Sequence, residues 1–460
     1  MANPTSYETP PHGFRTFIIL WLTQSLSVFG STITFFAVTF WLSTVLYPAQ
    51  SQRPELAFAL AAVALAFGAP VLIAAPLAGA WADRHDRKRT MIAMDSVSAV
   101  LDLVLLILLV TNNLRVWNLV ILLVISAVAN SFHGAAFDTS YAMIVPERQL
   151  SRANGMMQTI NSLAGIVSPG IAAVLLAIPF ITLRSPTTMQ LVRDGTPLAI
   201  TVDMVSFVIA AVVPFFLSVP SPVRTDRDEA GKLNTSIWQD VGLGMQYLWH
   251  RRPMLWLLGT FTLANFVGGI FVLFPLMIKF NLRDDYLRHG FTFVTAFALL
   301  SSVASIGGVV GGVAISAWGG LKRRRIYGIL IPMIVDGIAV VVFGFSTLLF
   351  LTVAMGFFME GMIPFMNAHS QAIWQTQVPR ELQGRVFSVR RLIAQFTSPL
   401  SIGILGVAGG IFNPGYVIAL LGAIQIVFCC AQLFNPHLMR VEDREWIESI
   451  AVKRGATTVS

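Results

Sequence analysis

Residues 79–89 read Gly79-Ala80-Trp81-Ala82-Asp83-Arg84-His85-Asp86-Arg87-Lys88-Arg89, a dense block of charge set between two long apolar runs. The runs on either side, 56–82 and 90–111, are each long enough to cross a hydrocarbon core of about 30 Å, which takes roughly 20 apolar residues. The charged block therefore marks a place where the chain surfaces between two spans. It has a counterpart: Ala317-Trp318 precedes Lys322-Arg323-Arg324-Arg325 as Ala80-Trp81 precedes residues 84–89, at an offset of 237 residues. Val145-Pro146-Glu147-Arg148 is matched by Val378-Pro379-Arg380-Glu381 at an offset of 233, and Ser168-Pro169 by Ser398-Pro399 at 230. Three ordered matches at nearly constant spacing indicate two copies of one six-span unit.

Composition agrees with a membrane chain. Of 460 residues, 55% are hydrophobic and 12% charged, where soluble domains carry roughly 25% charged residues. Backbone groups in lipid must be satisfied internally, so the spans are helices or a closed barrel. The runs are long and lack ten-residue alternation, so the fold expected is all-α with twelve transmembrane helices. They are placed at 14–46, 56–82, 90–111, 116–138, 153–178 and 198–219, then 253–281, 290–318, 326–346, 348–374, 386–412 and 414–436. The first run exceeds the apolar region of a cleaved signal peptide and is read as a retained span. The expected organisation is a first six-helix half (1–219), a linker with an amphipathic helix (220–252), a second six-helix half (253–436) and a cytoplasmic tail (437–460). In the linker, Ile237, Trp238, Val241, Met245, Leu248 and Trp249 have the spacing of a helix lying on the inner membrane surface.

Orientation follows from the basic residues. With the N-terminus inside, all but seven of the 31 Lys and Arg fall on cytoplasmic segments; the exceptions are Arg53, Arg115, Arg184, Arg193, Lys279, Arg283 and Arg288. That asymmetry puts both termini on the cytoplasmic side. It also accounts for most of the net charge of +8, leaving nucleic acid unnecessary as a partner. Cys429 and Cys430 are adjacent in an apolar run and suggest neither a bridge nor a metal site. No phosphate-cradling loop, metal-ligand spacing or nucleophile elbow is present, so no cofactor and no enzyme activity are expected, and an ion gradient is the expected energy source.

Residues 79–89 resemble the loop signature between the second and third spans of the major facilitator superfamily, with Trp81 and Asp86 where the general pattern has Leu and Gly. The Asp-Arg-x-Asp-Arg-Lys-Arg form is similar to the branch of macrolide-efflux and enterobactin-exporter proteins, and Trp21, Gln24, Ser27 and Gly30 recur as in that branch. Two parallel repeats related by an axis along the membrane normal are that family's arrangement. The resemblance implies a substrate cavity between the halves and a conformational gate at Gly79, Asp83, Arg84, Arg87, Lys88 and Arg89. The alternative for these cations, Lys88 and Arg89 above all, is simple anchoring at the inner surface.

Ionisable residues at mid-depth carry a functional hypothesis because they are costly there. Asp102, Asp336 and Glu360 are the candidates for proton coupling. Asp102 and Asp336 are repeat counterparts on spans the resemblance places at the periphery, so a structural polar contact competes with transport chemistry. Glu360 shares a face of the tenth span with Pro364, Asn367 and Gln371, and could carry a proton or pair with a cationic substrate. Polar stripes on the fifth span (Asn154, Gln158, Asn161, Gly165, Ser168) and eleventh span (Ser388, Arg391, Gln395, Ser398) suggest cavity walls. The substrate-cavity candidates are Gln24, Asn130, His133, Gln158, Asn161, Asn367, Gln371 and Gln395; helix-to-helix packing is the competing reading for each. Arg390 and Arg391 are read as snorkelling, or as a partner for Asp83. Asp138 and Asp203 are read as structural, and Ser301, Ser305, Gly308 and Gly312 as a seam of close packing.

The expected protein is a monomeric exporter of small amphipathic, drug- or macrolide-like molecules in the plasma membrane of a prokaryote, exchanging them for protons. Siderophore export, lysophospholipid or lipid transport, and a transport-inactive receptor or partner of a separate ATPase are the alternatives.

Overall fold

The computed structural model describes residues 13–182, 194–218 and 237–454. Among them there is no strand, and twelve helices are long and apolar enough to span a bilayer. In the first half these are α1 (Gly13–Trp41, continued by a π turn over Leu42–Leu46), α2 (Arg53–Arg84), α3 (Arg87–Val110), α4 (Val116–Ile144), α5 (Glu147–Thr182) and α6 (Thr196–Val212). In the second half they are α7 (Arg252–Gly268, prolonged by irregular turns to Asn281), α8 (Phe293–Trp318), α9 (Tyr327–Phe345), α10 (Leu349–Gln377), α11 (Arg380–Ile411) and α12 (Pro414–Gln432). The chain divides into two compact units, Met1–Thr225 and Asp226–Ser460.

Each unit repeats one packing scheme. In the first, α2 packs on α4, α3 on α4 and α6, and α1 on α5 and α6. In the second, α8 packs on α10, α9 on α10 and α12, and α7 on α11 and α12. The offsets in the sequence are thus expressed as equivalent neighbours within each half.

Local chemistry sets the helix ends. Asp86 caps α3 by accepting from the Arg89 N–H at 2.8 Å, and Asn413 caps α12 by accepting from the Gly415 N–H at 2.9 Å. Helix α8 stops at Gly319, whose φ of +76° is a left-handed conformation that suits glycine. Several helices run further than the apolar stretches: α4 ends at Ile144 and α5 begins at Glu147, where hydropathy alone sets limits at 138 and 153.

Two helices outside the spans are packed against the second half. The linker helix Ile237–His250 lies against α11 with Tyr247 and Leu248 buried, while Met245 and Trp249 are exposed. The side chains of Ile237, Trp238 and Val241 lie outside the described ones. The segment after α12, read from sequence as a tail, contains a helix, Arg444–Lys453, that docks Ile447 and Ala451 into the same half. Glu448 accepts two hydrogen bonds from Arg251, at 3.0 and 2.7 Å, and the guanidinium lies 3.8 Å from the Tyr247 ring. Asp443 caps that helix; the Trp446 N–H, and then Arg440, hold its carboxyl below the usual range.

The seam between α8 and α10 differs from the expected stripe. The buried glycines are Gly307 and Gly311, where a Cβ would run into the backbone carbonyls of Phe357 and Gly361. Gly308 has only ordinary contacts with Glu360 at 3.8 Å, and a Cβ at Gly312 meets nothing within 4 Å among the described residues. One residue on a helix turns the face by about 100°, so Ala304, Gly307 and Gly311 make the crossing instead. Gly311→Ala is therefore expected to destabilise the purified protein by about 1–3 kcal/mol. Gly312→Ala should leave the thermal unfolding midpoint in detergent at or slightly above that of the unmodified chain. Equal midpoints for the two variants would contradict this seam.

Candidate transport sites

Helix α3 shows how polar groups are arranged. Its buried face carries Asp95, Ser98 and Asp102, while Val100, Leu103, Val104 and Ile107 are exposed. An apolar exterior suits lipid, and the carboxyls turn inward to find partners. Asp95 meets His133 on α4, Oδ2 to Nε2 at 3.4 Å, and the same imidazole nitrogen stands 3.1 Å from the Gln24 amide nitrogen on α1. His133 is buried, whereas Asn130, three residues away, is exposed.

Asp102 faces α6, within electrostatic reach of the buried Asp203. Asp203 Oδ1 accepts from Ser31 Oγ at 3.2 Å, and its backbone carbonyl from Ser206 Oγ at 2.6 Å. Gly30 makes this approach possible: a Cβ there would stand 2.6 Å from Asp203 Oδ1 and 2.7 Å from Ser206 Oγ. In the second half the counterpart of Asp102 is Asp336, whose Oδ2 accepts from Gln425 on α12 at 2.7 Å. Gln425 also donates to the Met333 carbonyl at 2.8 Å. Helices three and six of each half thus place polar groups together, two acids in one and an acid with an amide in the other.

A cavity of about 320 Å³ opens inside the second half. Its wall is largely apolar and aromatic, including Phe261, Phe271, Phe274 and Met359, with Asp336, Glu360, Asn265, Asn367 and Ser398 as polar points. Asp336 is half-buried and engaged by Gln425, while Glu360 and Asn367 are exposed and accessible. Gln371, on the same α10 face, does not line this cavity; its Oε1 accepts from Arg390 Nη1 at 2.9 Å. Arg390 also lies over the Trp374 ring at 5.2 Å, so it is tied to α10 rather than snorkelling, and Arg391 is exposed. Gln158 and Asn161 on α5 are exposed, and Asn161 donates to its own helix at 3.3 Å. The side chain of Gln395 lies outside the described ones.

The block at 79–89 has defined tasks within its half. Arg87 is buried and donates to the carbonyls of Ala82 and Thr139, both at 3.3 Å, and to the Met143 sulfur. Lys88 donates to the Phe215 and Leu217 carbonyls at 3.1 and 2.9 Å, a cation at the end of α6. Trp81 stacks on His85 with ring centres 3.6 Å apart and donates to Thr90. Arg84 and Arg89 are exposed, a Cβ at Gly79 meets nothing within 4 Å among the described residues, and the Asp83 side chain lies outside the described ones. Among the described residues no group of three metal-ligating side chains occurs.

Sequence reasoning missed Asp95, although its seven-residue spacing from Asp102 marks one helix face, and it missed Asn265, which no spacing singles out.

Twelve apolar helices in two halves of one packing scheme, with carboxyls turned away from an apolar exterior, define a polytopic membrane transporter. The chain belongs to the Major Facilitator Superfamily, whose family model matches residues 20–402. Macrolide efflux protein A of Streptococcus pyogenes is 27% identical over 391 residues, covering 84% of this chain and 87% of that one. The multidrug efflux pump Tap of Mycolicibacterium fortuitum is 24% identical over 360 residues, 75% of this chain and 79% of that one. Among solved structures, a bacterial homologue of the human lysosomal transporter Spinster superposes with a TM-score of 0.62 at 15% identity, covering 97% of this chain and 96% of that one.

Removing the Gln425 amide strands the Asp336 carboxyl. Gln425→Ala is expected to cost about 1–3 kcal/mol, whereas Asp336→Asn, which keeps an acceptor for Gln425, should cost less. Thermal unfolding of the purified variants checks the order; the reverse order would show that the pair is not what holds α9 to α12.

Proposed function

We propose that the protein exports small amphipathic molecules, macrolide-like drugs with a basic amine among them, by alternating access in exchange for protons. The observation that carries this reading is Glu360 accessible on the wall of an apolar, aromatic cavity. Such a wall takes the hydrophobic body of a ligand, and a carboxylate fixes an amine by a charge-assisted hydrogen bond. At about 320 Å³ the cavity is at the small end for ligand sites, which suits an amine-bearing ring or headgroup. The macrolide and multidrug efflux relatives support the substrate class. The basic-residue asymmetry supports a plasma-membrane location with both termini cytoplasmic. Asp83 with Gly79, Arg84, Arg87, Lys88 and Arg89 forms the gate in this reading, and the protein works as a monomer.

Expression in macrolide-sensitive cells should lower erythromycin accumulation, and an uncoupler should restore it. Glu360→Gln is expected to reduce efflux at least about tenfold, equivalent to about 1.4 kcal/mol, with unfolding behaviour preserved. Unchanged efflux with unchanged pH dependence would remove Glu360 from the mechanism. Failure of the purified protein to move erythromycin without a second protein would point instead to an assembly partner.

For the gate, Asp83→Asn should shift the balance of facing states read by cysteine labelling from the two sides of the membrane. An unaltered labelling pattern would leave residues 79–89 with packing and anchoring alone.

A further inference from the structure

The polar contact among α1, α3 and α4 has a property the export reading does not use. His133 Nε2 stands between a donor, the Gln24 amide 3.1 Å away, and an acceptor, Asp95 Oδ2 at 3.4 Å. One nitrogen cannot serve both. With a lone pair on Nε2 it accepts from Gln24, and with a proton it donates to Asp95. The side chains of His133 and Asp95 are 7% and 3% exposed, so water does not stand in for the missing partner. Asp95 Oδ2 has no hydrogen bond among the described residues, and the imidazole at 3.4 Å is the group placed to supply one. A buried carboxylate oxygen without a donor is costly, and a proton on Nε2 supplies that donor.

We propose that Gln24, His133 and Asp95 form a proton-binding switch in the first half, in which proton uptake at His133 Nε2 releases α4 from α1 and ties it to α3. The switch rests on the antiport reading in one respect, that the proton it binds is the coupling proton. It would separate proton binding, in the first half, from the cavity of the second.

The surroundings contain few competing charges. On α4 itself Asp138 lies within electrostatic reach of His133, and Tyr141 hydrogen-bonds Asn154 at 2.9 Å. Helix α3 brings Asp102 two turns beyond Asp95 and Arg87 two turns before it, the latter engaged by Ala82, Thr139 and Met143. Helix α1 has Arg15 as its one charged side chain, and α2 has Arg53 and Glu55 at one end and Asp83 and Arg84 at the other. Asp203 reaches this region from α6 through Asp102. Asp95 is thus the carboxylate in contact with the imidazole.

The switch is tested on the full protein in lipid nanodiscs by 15N NMR of labelled histidine, with the His133 signal assigned by its loss in His133→Gln. Across a pH series the Nε2 resonance should pass from an acceptor to a protonated nitrogen. At about pH 6, Asp95→Asn should lower the imidazolium-to-imidazole ratio at least about tenfold, because an opposite charge at this range favours the charged form. Gln24→Ala should raise that ratio, because the neutral form loses the amide beside Nε2 while the charged form keeps Asp95. A His133 nitrogen that keeps one state across the range, or a ratio that neither variant moves, overturns the switch.

Coupling is read separately in proteoliposomes. His133→Gln should reduce erythromycin movement driven by a pH gradient at least about tenfold more than it reduces erythromycin counterflow without a gradient. Gradient-driven movement that falls no further than counterflow in His133→Gln overturns the coupling role. If the unmodified protein moves no erythromycin in either assay, the export reading falls and the NMR result alone decides the switch.

Discussion

Polar groups inside this protein answer to one constraint: hydrocarbon offers no hydrogen bonds, so a carboxyl within a span turns toward a neighbouring helix or a cavity. Helix α3 displays the consequence, with aliphatic side chains outward and Asp95, Ser98 and Asp102 inward. Burying apolar area cannot drive helices together when the solvent is itself apolar. Association therefore falls to close backbone approach and to hydrogen bonds between helices, each worth on average about 0.6 kcal/mol. Gly30 against Asp203 and Gly307 against Phe357 are among the close approaches, and Gln425 to Asp336 is one of the hydrogen bonds.

The same constraint explains how two halves of one scheme come to differ. Both bring polar groups on their third and sixth helices together, but one places Asp203 near Asp102 and the other Gln425 against Asp336. An amide satisfies a carboxyl by donating to it. Asp203 instead takes a hydrogen bond from Ser31, so the first half draws α1 into this contact. The repeat fixes where the polar groups lie, and single substitutions between Asp and Gln decide what they can bind.

Run length and charge distribution make the twelve helices legible in the amino-acid sequence, since a span needs a certain apolar length and little else. Periodicity also marks the α10 face bearing Glu360 and Asn367, because positions seven apart return to the same side. What one helix meets on its neighbour is not legible. Asp95 has no meaning until α4 brings His133 within 3.4 Å, and Asn130 is indistinguishable from His133 until the rotation of α4 exposes one and buries the other. The glycine seam lies one position away from the expected stripe for the same reason: Gly307 and Gly308 are equal in sequence, and only the path of α10 selects between them. Arg390, expected to snorkel, is held by Gln371 and Trp374, a contact between helices that share no local pattern.

Glu360 stands apart from the other intramembrane acids. Asp95, Asp102 and Asp203 are buried and Asp336 is half-buried; Asp203 and Asp336 accept hydrogen bonds from side chains of other helices. Glu360 lies one residue before Gly361, whose carbonyl a Cβ at Gly311 of α8 would strike, so its backbone packs closely against α8 while its carboxyl opens to the cavity. A rigid backbone beneath an accessible acid keeps the acid in place without neutralising it. That is the condition for a carboxylate to discriminate between ligands: it loses little ordering entropy on binding and has no hydrogen-bond partner among the described residues to give up. The closeness of α8 to α10, a packing requirement set by lipid, is thus also what positions the one exposed carboxyl of the cavity wall.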